Sequence, residues 1–344
     1  MLHPSRPSPL LSHQPTLFIS DQDICRLAQW SDAITTLEKA YAQPCNPAMV
    51  PNRTMARGDN GIWLRSLSAI SPTGRHMGNK LIAASPVAKS ASYLMSLFDC
   101  RDMRLVALLD ANQITGFRTA ATTAMALSKM VPSRPQKVAM LGSGFEAKGH
   151  LHAILSCIKV EKVQVFSPSP QNREAFAREF GAHYPGLDVR ACDQAQSAVD
   201  GSTLIVCAAR SHDEQPILQG QWLKAGMTIA SIGSTLPEQR EVDAHVIRQA
   251  SAIYADMPDE ILHDTGDMLA ASAEGVDVAA KLNDLSRLMD PQRPPRVNDQ
   301  DILLFKSVGS ALQDVVVAEM IYQLALEQGL GTDLPQTIVP VLKW

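Results

Sequence analysis

The segment that most constrains the fold is "KVAMLGSGFEAKGHLHAIL", residues 137–155. An apolar run typical of a strand ends in a glycine turn, and the apolar residues that follow have the spacing of a helix. In such a unit Gly142 permits a tight turn, Gly144 lets a pyrophosphate approach the backbone, and Ala147 lets the helix pack closely on the strand. The spacing therefore predicts a dinucleotide-binding turn, and a purely structural tight turn is the alternative.

Strands and helices alternate after this segment. We expect strands at 137–141, 163–166, 187–191, 203–208, 227–232 and 252–255, with helices between most of them. That alternation predicts an α/β fold with a parallel, doubly wound sheet. Upstream, four strand-like runs between 62 and 111 are separated by short turns, which favours antiparallel pairing. A helix is expected from about Thr115, and a last amphipathic helix is closed by Gly329.

The composition excludes several classes of function. The 344 residues carry a formal charge of -4 and none of the motifs of nucleic-acid-binding proteins. No run reaches the roughly 18 apolar residues of a membrane span. Six scattered cysteines without a C-x-x-C pair are typical of free thiols in the cytoplasm. Residues 1–16 lack the apolar core of a signal peptide and are expected to form a loose arm. His150 and His152 are two apart on a helix and diverge, so no metal is expected.

The end of the second strand indicates which dinucleotide is bound. An acidic residue at that position usually binds the ribose 2′-hydroxyl of NAD. Here Phe166 is followed by Ser167 and Ser169, and Arg173 lies a little further on. Hydroxyls and a guanidinium suit a 2′-phosphate, which favours NADP over NAD. The alternative is that these residues only cap the next helix.

Three cations ahead of the glycine turn are candidates for binding an anion. Arg118 is placed by the sequence in the first turn of a helix, where a cation is unfavourable for the helix dipole. Lys80 interrupts an apolar strand, where it is costly unless it faces a cleft and polarises or protonates a ligand. Arg53 lies in "VPNRTMAR". Taken singly, each such residue is more often a solvated surface residue.

Trp63 and Arg65 alternate onto one face of the strand "IWLRSL". If that face lines the cleft, Arg65 adds a cation for a second acidic group of the substrate. The alternative is an edge strand with a solvated arginine.

Five segments occur in an order that resembles one known family: "GNKLIAASP", "LLDANQITGFRTAA", "VAMLGSGFEA", "IGSTLPEQREVD" and "FKSVGSALQD". Together they resemble the ornithine cyclodeaminase/mu-crystallin family over nearly the whole chain from Leu17. The resemblance implies a homodimer with a mixed α+β substrate and dimerisation domain, at 17–127 with 310–344. A Rossmann domain at 128–309 would bind the nucleotide.

The resemblance also implies roles for individual residues. Arg53 and Arg118 would hold the substrate carboxylate, and Lys80 would contact the substrate beside it. The cofactor phosphates would lie at Thr119, Gly142, Ser143, Gly144, Phe145 and Glu146, and the nicotinamide side at Lys306, Ser307 and Gly309. The predicted cofactor site also includes Ala208 and Ser234, together with the strand-end residues Ser167, Ser169 and Arg173. Glu146 stands where glutamine is common in the family.

One departure from the family bears on the reaction. Its cyclodeaminases carry an aspartate in the segment matching "IGSTLPEQREVD", where this chain has Thr235 after Ser234. A hydroxyl cannot act as a carboxylate base near neutral pH. The expected activity is therefore NAD(P)H-dependent reduction of an α-imino acid to an α-amino acid, or the reverse dehydrogenation. The alternatives are a redox-neutral cyclodeaminase with bound NAD and a nucleotide-binding protein without turnover.

Overall fold

The computed structural model describes residues 15–209, 215–336 and 338–341, so residues 1–14 of the expected arm lie outside the described part of the chain. The chain forms two compact units. Unit 1 combines the residues up to Arg118 with those from Ser310 onward, and unit 2 is Thr119–Gly309. The boundary lies between 118 and 119, whereas the resemblance implies one between 127 and 128. The assignment of substrate and nucleotide binding to the two units stays a prediction.

The described strands and helices are numbered in chain order. The strands are β1 (Leu17–Ile19), β2 (Thr54–Arg57), β3 (Trp63–Ile70), β4 (His76–Ser85), β5 (Ser90–Asp99), β6 (Leu105–Asp110), β7 (Gln136–Leu141), β8 (Val160–Phe166), β9 (Asp188–Ala191), β10 (Leu204–Cys207), β11 (Thr228–Ser231), β12 (Ala252–Ala255), β13 (Leu282–Asp284), β14 (Leu303–Lys306) and β15 (Thr332–Asp333). The helices are α1 (Asp21–Leu27), α2 (Trp30–Tyr41), α3 (Asn112–Met130), α4 (Phe145–Cys157), α5 (Pro170–His183), α6 (Ala195–Val199), α7 (Ala244–Gln249), α8 (Pro258–Asp264), α9 (Gly266–Ala273), α10 (Val278–Lys281) and α11 (Ala311–Gln328).

Unit 1 is built on a seven-stranded sheet in the order β15-β1-β6-β5-β4-β3-β2. The expected antiparallel pairing of the strands between 62 and 111 is observed for β3 to β6. β3 is paired on both sides, with β2 and with β4, so the alternative of an edge strand for Arg65 is wrong. One face of the sheet is covered by α11, which packs on β3, β4 and β5. The opposite face presents apolar side chains to solvent, among them Leu64, Ile70 and Leu94.

Unit 2 contains an eight-stranded sheet in the order β13-β12-β14-β11-β10-β7-β8-β9. All neighbouring strands in it are parallel, which confirms the predicted doubly wound Rossmann architecture. β14 was missed as a separate strand, because all four of its residues are buried and it shows none of the alternation of a half-exposed strand. The carboxyl ends of β7, β8, β10 and β11 are the positions at which such folds bind ligands.

Helix ends follow local sequence signals. Ser20 and Asp23 form the expected capping box of α1, and Ser310 and Gln313 form another at the start of α11. Gly329 ends α11 in the left-handed conformation at φ 63°. α3 begins at Asn112, because Ala111 already accepts a hydrogen bond from the amide of Thr115. None of the described helices is long and apolar enough to span a lipid bilayer.

Candidate active site

The glycine turn between β7 and α4 has the geometry of a phosphate cradle. Gly142 has φ +128°, and a Cβ there would lie 2.4 Å from the carbonyl oxygen of Ala208 at the end of β10. Gly144 is the N-terminal cap of α4, and an added Cβ would project into space without any described atom within 4 Å. A side chain at 144 would therefore fill the region in front of the helix N-terminus. The residues present fit a dinucleotide pyrophosphate at this position.

A buried histidine, His150, contacts the first turn of α4. Its side chain lies 2.7 Å from the carbonyl oxygen of Glu146 through Nδ1 and 3.1 Å from Thr123 Oγ1 through Nε2. Burial lowers the pKa of His150 to about 4, so this imidazole is neutral near pH 7. Phe145 and the Glu146 side chain are exposed to solvent at the start of the helix. Among the described residues no cluster of three potential metal ligands is present.

The expected 2′-phosphate residues lie together, with an acidic residue beside them. Ser143 Oγ donates to Ser167 Oγ at 2.8 Å, so the glycine turn and the end of β8 are joined. Ser169 caps α5, as the alternative interpretation has it. Arg173 Nη1 donates to the carbonyl of Ser167 at 3.1 Å, and Nη2 binds Asp193 Oδ1 at 2.7 Å. Asp193 follows β9 and its side chain is 92% exposed.

A buried ionic network lies at the carboxyl ends of β11 and β14. Lys306 Nζ donates to Asp267 Oδ2 at 2.8 Å and to Ser231 Oγ at 2.9 Å. Ser231 donates in turn to Glu241 Oε2 at 2.8 Å. The backbone amides of Glu241 and Val242 donate to Asp267 Oδ1. The structure thus directs the ammonium group of Lys306 into an ion pair inside unit 2.

Glu241 ties two loops together. Its Oε1 accepts from the amide of Ala209 at 3.2 Å, after β10, and its Oε2 accepts from the amide of Gly233 at 2.8 Å, after β11. Burial raises the pKa of Glu241 to about 7, although Lys306 opposes that rise. Nearby, Ser234 Oγ donates to the carbonyl of Gln239 at 2.6 Å.

Asp256, at the end of β12, fixes the loop that follows β14. It accepts hydrogen bonds from Ser307 Oγ at 2.6 Å and from the amides of Val308 and Gly309 at 3.1 and 3.0 Å. The predicted cofactor residues Ser307 and Gly309 therefore share one rigid turn. Ala208, whose backbone lies against Gly142 of the glycine turn, is also buried.

Unit 1 brings the three predicted cations into one electrostatic cluster. Lys80 is buried on β4 and donates from Nζ to Asp314 Oδ1 on α11 at 2.8 Å. Arg118 Nε lies 2.8 Å from the same oxygen. Burial lowers the pKa of Lys80 to about 8; Asp314 opposes this, whereas the charges of Arg118 and Arg53 add to it. Lys80 and Arg118 thus share the carboxylate of Asp314, and the positive charges of Arg118 and Arg53 both act on Lys80.

Arg118 lies two turns into α3, so its predicted position in the first turn is wrong. The helix starts earlier than the sequence pattern indicates, and the dipole argument does not apply this far from the N-terminus. Its position is explained by its partners. Besides Asp314, Nη1 donates to Gln313 Oε1 at 2.6 Å, and Gln313 Nε2 donates to the hydroxyl of Tyr41 at 3.0 Å. Thr119 follows Arg118 on the same helix.

Sequence reasoning missed the acids and amides that orient these groups. Asp314, Gln313, Asp193, Asp256, Asp267 and Glu241 were not proposed as site residues. Gln313 and Asp314 lie in the first turn of α11, where an amide in a capping box and an acid are both common, so their positions did not single them out. No sequence signal marked Asp193, because its loop has the composition of an exposed loop.

Comparisons with known proteins agree with this geometry. The model of the ornithine cyclodeaminase/mu-crystallin family matches residues 18–329. The chain is 31% identical over 320 residues to ketimine reductase mu-crystallin of Mus musculus, covering 89% of this chain and 96% of that one. It is 25% identical over 292 residues to a delta(1)-pyrroline-2-carboxylate reductase of Bacillus cereus, covering 85% of each.

A solved structure is similar over the same range. It is the delta(1)-pyrroline-2-carboxylate reductase of Thermococcus litoralis in complex with NADH and L-proline, 25% identical to this chain. The TM-score is 0.85, with 93% of this chain and 100% of the other covered.

Proposed function

The chain belongs to the ornithine cyclodeaminase/mu-crystallin family, and we propose that it uses a nicotinamide dinucleotide to reduce a C=N bond next to a carboxylate, giving an α-amino acid. Two relatives named as imine reductases, ketimine reductase mu-crystallin and pyrroline-2-carboxylate reductase, support this reaction. The observation that carries the proposal is the cluster of Lys80, Arg118 and Asp314 in unit 1. A bound nicotinamide dinucleotide would supply the hydride.

The cations of the cluster would hold the substrate carboxylate. Arg53 and Arg118 act on Lys80 with like charge, and an anion between them would relieve that repulsion. A guanidinium can also hold a carboxylate by two parallel hydrogen bonds. Binding at these residues places the carbon of the C=N bond beside the lysine, which is positioning rather than covalent chemistry.

Lys80 is suited to deliver the proton. When the carbon of the imine accepts hydride, its nitrogen takes up one proton and becomes an amine. The pKa of Lys80 is lowered to about 8 by burial, so its ammonium group is a better acid than a free lysine and is still protonated near pH 7. Asp314 fixes the position of Nζ. The Oδ2 atom of Asp314 is buried and accepts no hydrogen bond from a described residue, and the N–H group of the amine that the reduction forms is a suitable donor.

A spectrophotometric screen tests this function. The protein is incubated with NADPH or NADH and a panel of 2-oxo acids with amines, together with cyclic imino acids. Stoichiometric loss of the nicotinamide absorbance is expected. Ammonia release from ornithine without net absorbance change would instead identify a cyclodeaminase, and nucleotide binding without either reaction would identify a non-catalytic protein. Both outcomes would overturn the proposal.

The proposal includes a preference for NADP(H). It is supported by the hydroxyls of Ser143 and Ser167 and by Arg173, which lie together at the end of β8. Asp193 neutralises part of the guanidinium charge and repels a phosphate, so it limits the preference. Arg173→Ala is expected to weaken the binding of NADPH by the free energy of one charged hydrogen bond, about 1.5–3 kcal/mol. Asp193→Ala is expected to strengthen the binding of NADPH. Dissociation constants for NADPH and NADH measure both; equal wild-type affinities would contradict the preference.

We also propose a cytoplasmic homodimer. The face of the unit 1 sheet opposite to Lys80 exposes Leu64, Ile70 and Leu94, at 47, 39 and 40%, and a second copy of the chain would cover this apolar surface. The six free cysteines are typical of a reducing compartment. Light scattering coupled to gel filtration is expected to give the dimer mass, and Leu94→Lys is expected to shift it toward the monomer.

A further inference from the structure

Arg65 lies on the same face of the unit 1 sheet as Lys80. Along β3 the side chains of Leu67 and Ala69 are buried, and those of Ser68 and Ile70, which alternate with them, are exposed. Arg65 shares the face of Leu67, because side chains two apart point the same way. The register pairs Leu67 with Lys80, and Arg65 with Ile82. Arg65 is therefore a diagonal neighbour of Lys80, about 6.7 Å further along the strand.

Trp63 orients this arginine. The Cζ atom of Arg65 lies 5.0 Å from the centre of the Trp63 ring, and both side chains are half-buried. Stacking on an indole uses the flat face of a guanidinium, whereas a carboxylate is bound by the N–H groups in its plane. The two interactions are compatible, and the stacking reduces the freedom that the side chain would lose on binding an anion.

Arg53 marks the other end of the same surface. β2 pairs with β3 so that Met55 is opposite Arg65. Arg53 immediately precedes β2, two residues before Met55, and continued alternation would put it on the same face and closer to Lys80. This placement agrees with the effect of its charge on Lys80. The cations therefore lie at two levels: Arg53, Lys80 and Arg118 at one, and Arg65 at the next.

We propose that Arg65 binds a second carboxylate of the substrate, so that the preferred substrates are 2-imino dicarboxylates. This inference rests on the function proposed above and specifies its substrate class. The carboxyl carbons of a four-carbon diacid are about 3.9 Å apart and those of a five-carbon diacid about 5 Å, from ordinary bond lengths. These lengths are of the same order as the roughly 6.7 Å that separates the Cα levels of Lys80 and Arg65, so one diacid can reach both cations through their flexible side chains. The C=N carbon takes the hydride, the nitrogen takes a proton, and the product is a 2-amino dicarboxylate.

Matched pairs of substrates test the proposal. 2-Oxoglutarate is compared with 2-oxopentanoate, and oxaloacetate with 2-oxobutanoate, each with excess ammonium and NADPH or NADH. The variants are Arg65→Met and Arg65→Lys, with Arg75→Met as a control at the exposed turn between β3 and β4. The wild type and Arg75→Met are expected to prefer the diacids. Arg65→Met should lower kcat/KM for diacids about 10- to 150-fold and for monoacids less than about threefold, the loss of one charged hydrogen bond. Arg65→Lys should fall between.

Binding without turnover separates this inference from the proposed reaction. Glutarate and succinate are expected to raise the melting temperature of the wild type more than pentanoate and butanoate do, and Arg65→Met should remove that difference. Reduction of monoacid imines without a diacid preference would overturn the inference and leave the proposed function in place. Equal losses for both substrate classes in Arg65→Met would also overturn it. A diacid-specific shift without any imine reduction would instead overturn the proposed function.

Discussion

Two buried lysines, Lys80 and Lys306, have similar contacts and different surroundings. Each donates to an aspartate oxygen at 2.8 Å, Asp314 in one case and Asp267 in the other. Around Lys306 the acid groups are well supplied with donors: Asp267 and Glu241 accept from four backbone amides and from Ser231. Around Lys80 the further charges acting on it are those of two arginines.

This difference separates a group that stabilises the fold from one prepared for a ligand. A buried charge is tolerated where counter-charges and hydrogen bonds are complete, as they are at Lys306. At Lys80 like charges and burial lower the pKa, which costs stability and leaves room for an anion to improve the balance. Three predictions test this separation: one concerns stability at Lys306, and two concern catalysis and its pH dependence at the cluster of Lys80.

The largest expected effect is on stability at Lys306. Lys306→Met leaves Asp267 buried without its cation, which typically costs about 3–5 kcal/mol. Lys137→Met is the matched control on the same sheet, because Lys137 is exposed and lies 3.5 Å from Glu161; its loss should cost about 1 kcal/mol or less. Denaturant unfolding measures both. Similar losses for the two variants would show that the buried network is not stabilising.

The next effect is on catalysis at the cluster of Lys80. Arg118→Leu removes the guanidinium group that is proposed to hold the substrate carboxylate. The variant is expected to lose about 2–5 kcal/mol of transition-state binding, measured as a lower kcat/KM. Arg101→Leu removes another arginine–aspartate pair of unit 1, whose arginine is 83% exposed, and should leave kcat/KM unchanged. Steady-state kinetics with the best substrate of the screen decides. Full activity of Arg118→Leu would contradict its assignment.

The smallest effect is the pH dependence that Lys80 confers. With a pKa of about 8 the proton donor is lost above that pH, so kcat/KM for reduction should fall up to tenfold per pH unit on the alkaline side. Stability changes in the other direction: the unfolded lysine, near 10.5, binds more protons than the folded one between pH 8 and 10.5, so this group's contribution to stability rises with pH there. Lys80→Arg should lack the alkaline fall in kcat/KM; retention of that fall would assign it to another group.

The fold was largely predictable, because its main signals are local. The glycine turn, each strand or helix after residue 137 and the caps of α1 and α11 are each indicated by residues that are close together in the sequence. The pairing inside the site was not, because it joins distant positions: Lys80 and Asp314 are 234 residues apart. Asp193 shows the same limit, since only the packing of β9 beside β8 brings it to Arg173. Likewise, no pattern near Arg118 indicates that α3 starts at Asn112.

The order of the chain has a consequence for synthesis on the ribosome. Unit 2 is one continuous segment and can collapse as soon as it has emerged, whereas unit 1 needs α11, which follows the whole of unit 2. Until α11 arrives, β3, β4 and β5 lack the helix that covers them, and Lys80 lacks Asp314. A nascent chain halted before Ser310 would carry the complete sheet of unit 2 and, in unit 1, a sheet that α11 does not yet cover. Such a chain would be a natural target for chaperones that shield exposed strands.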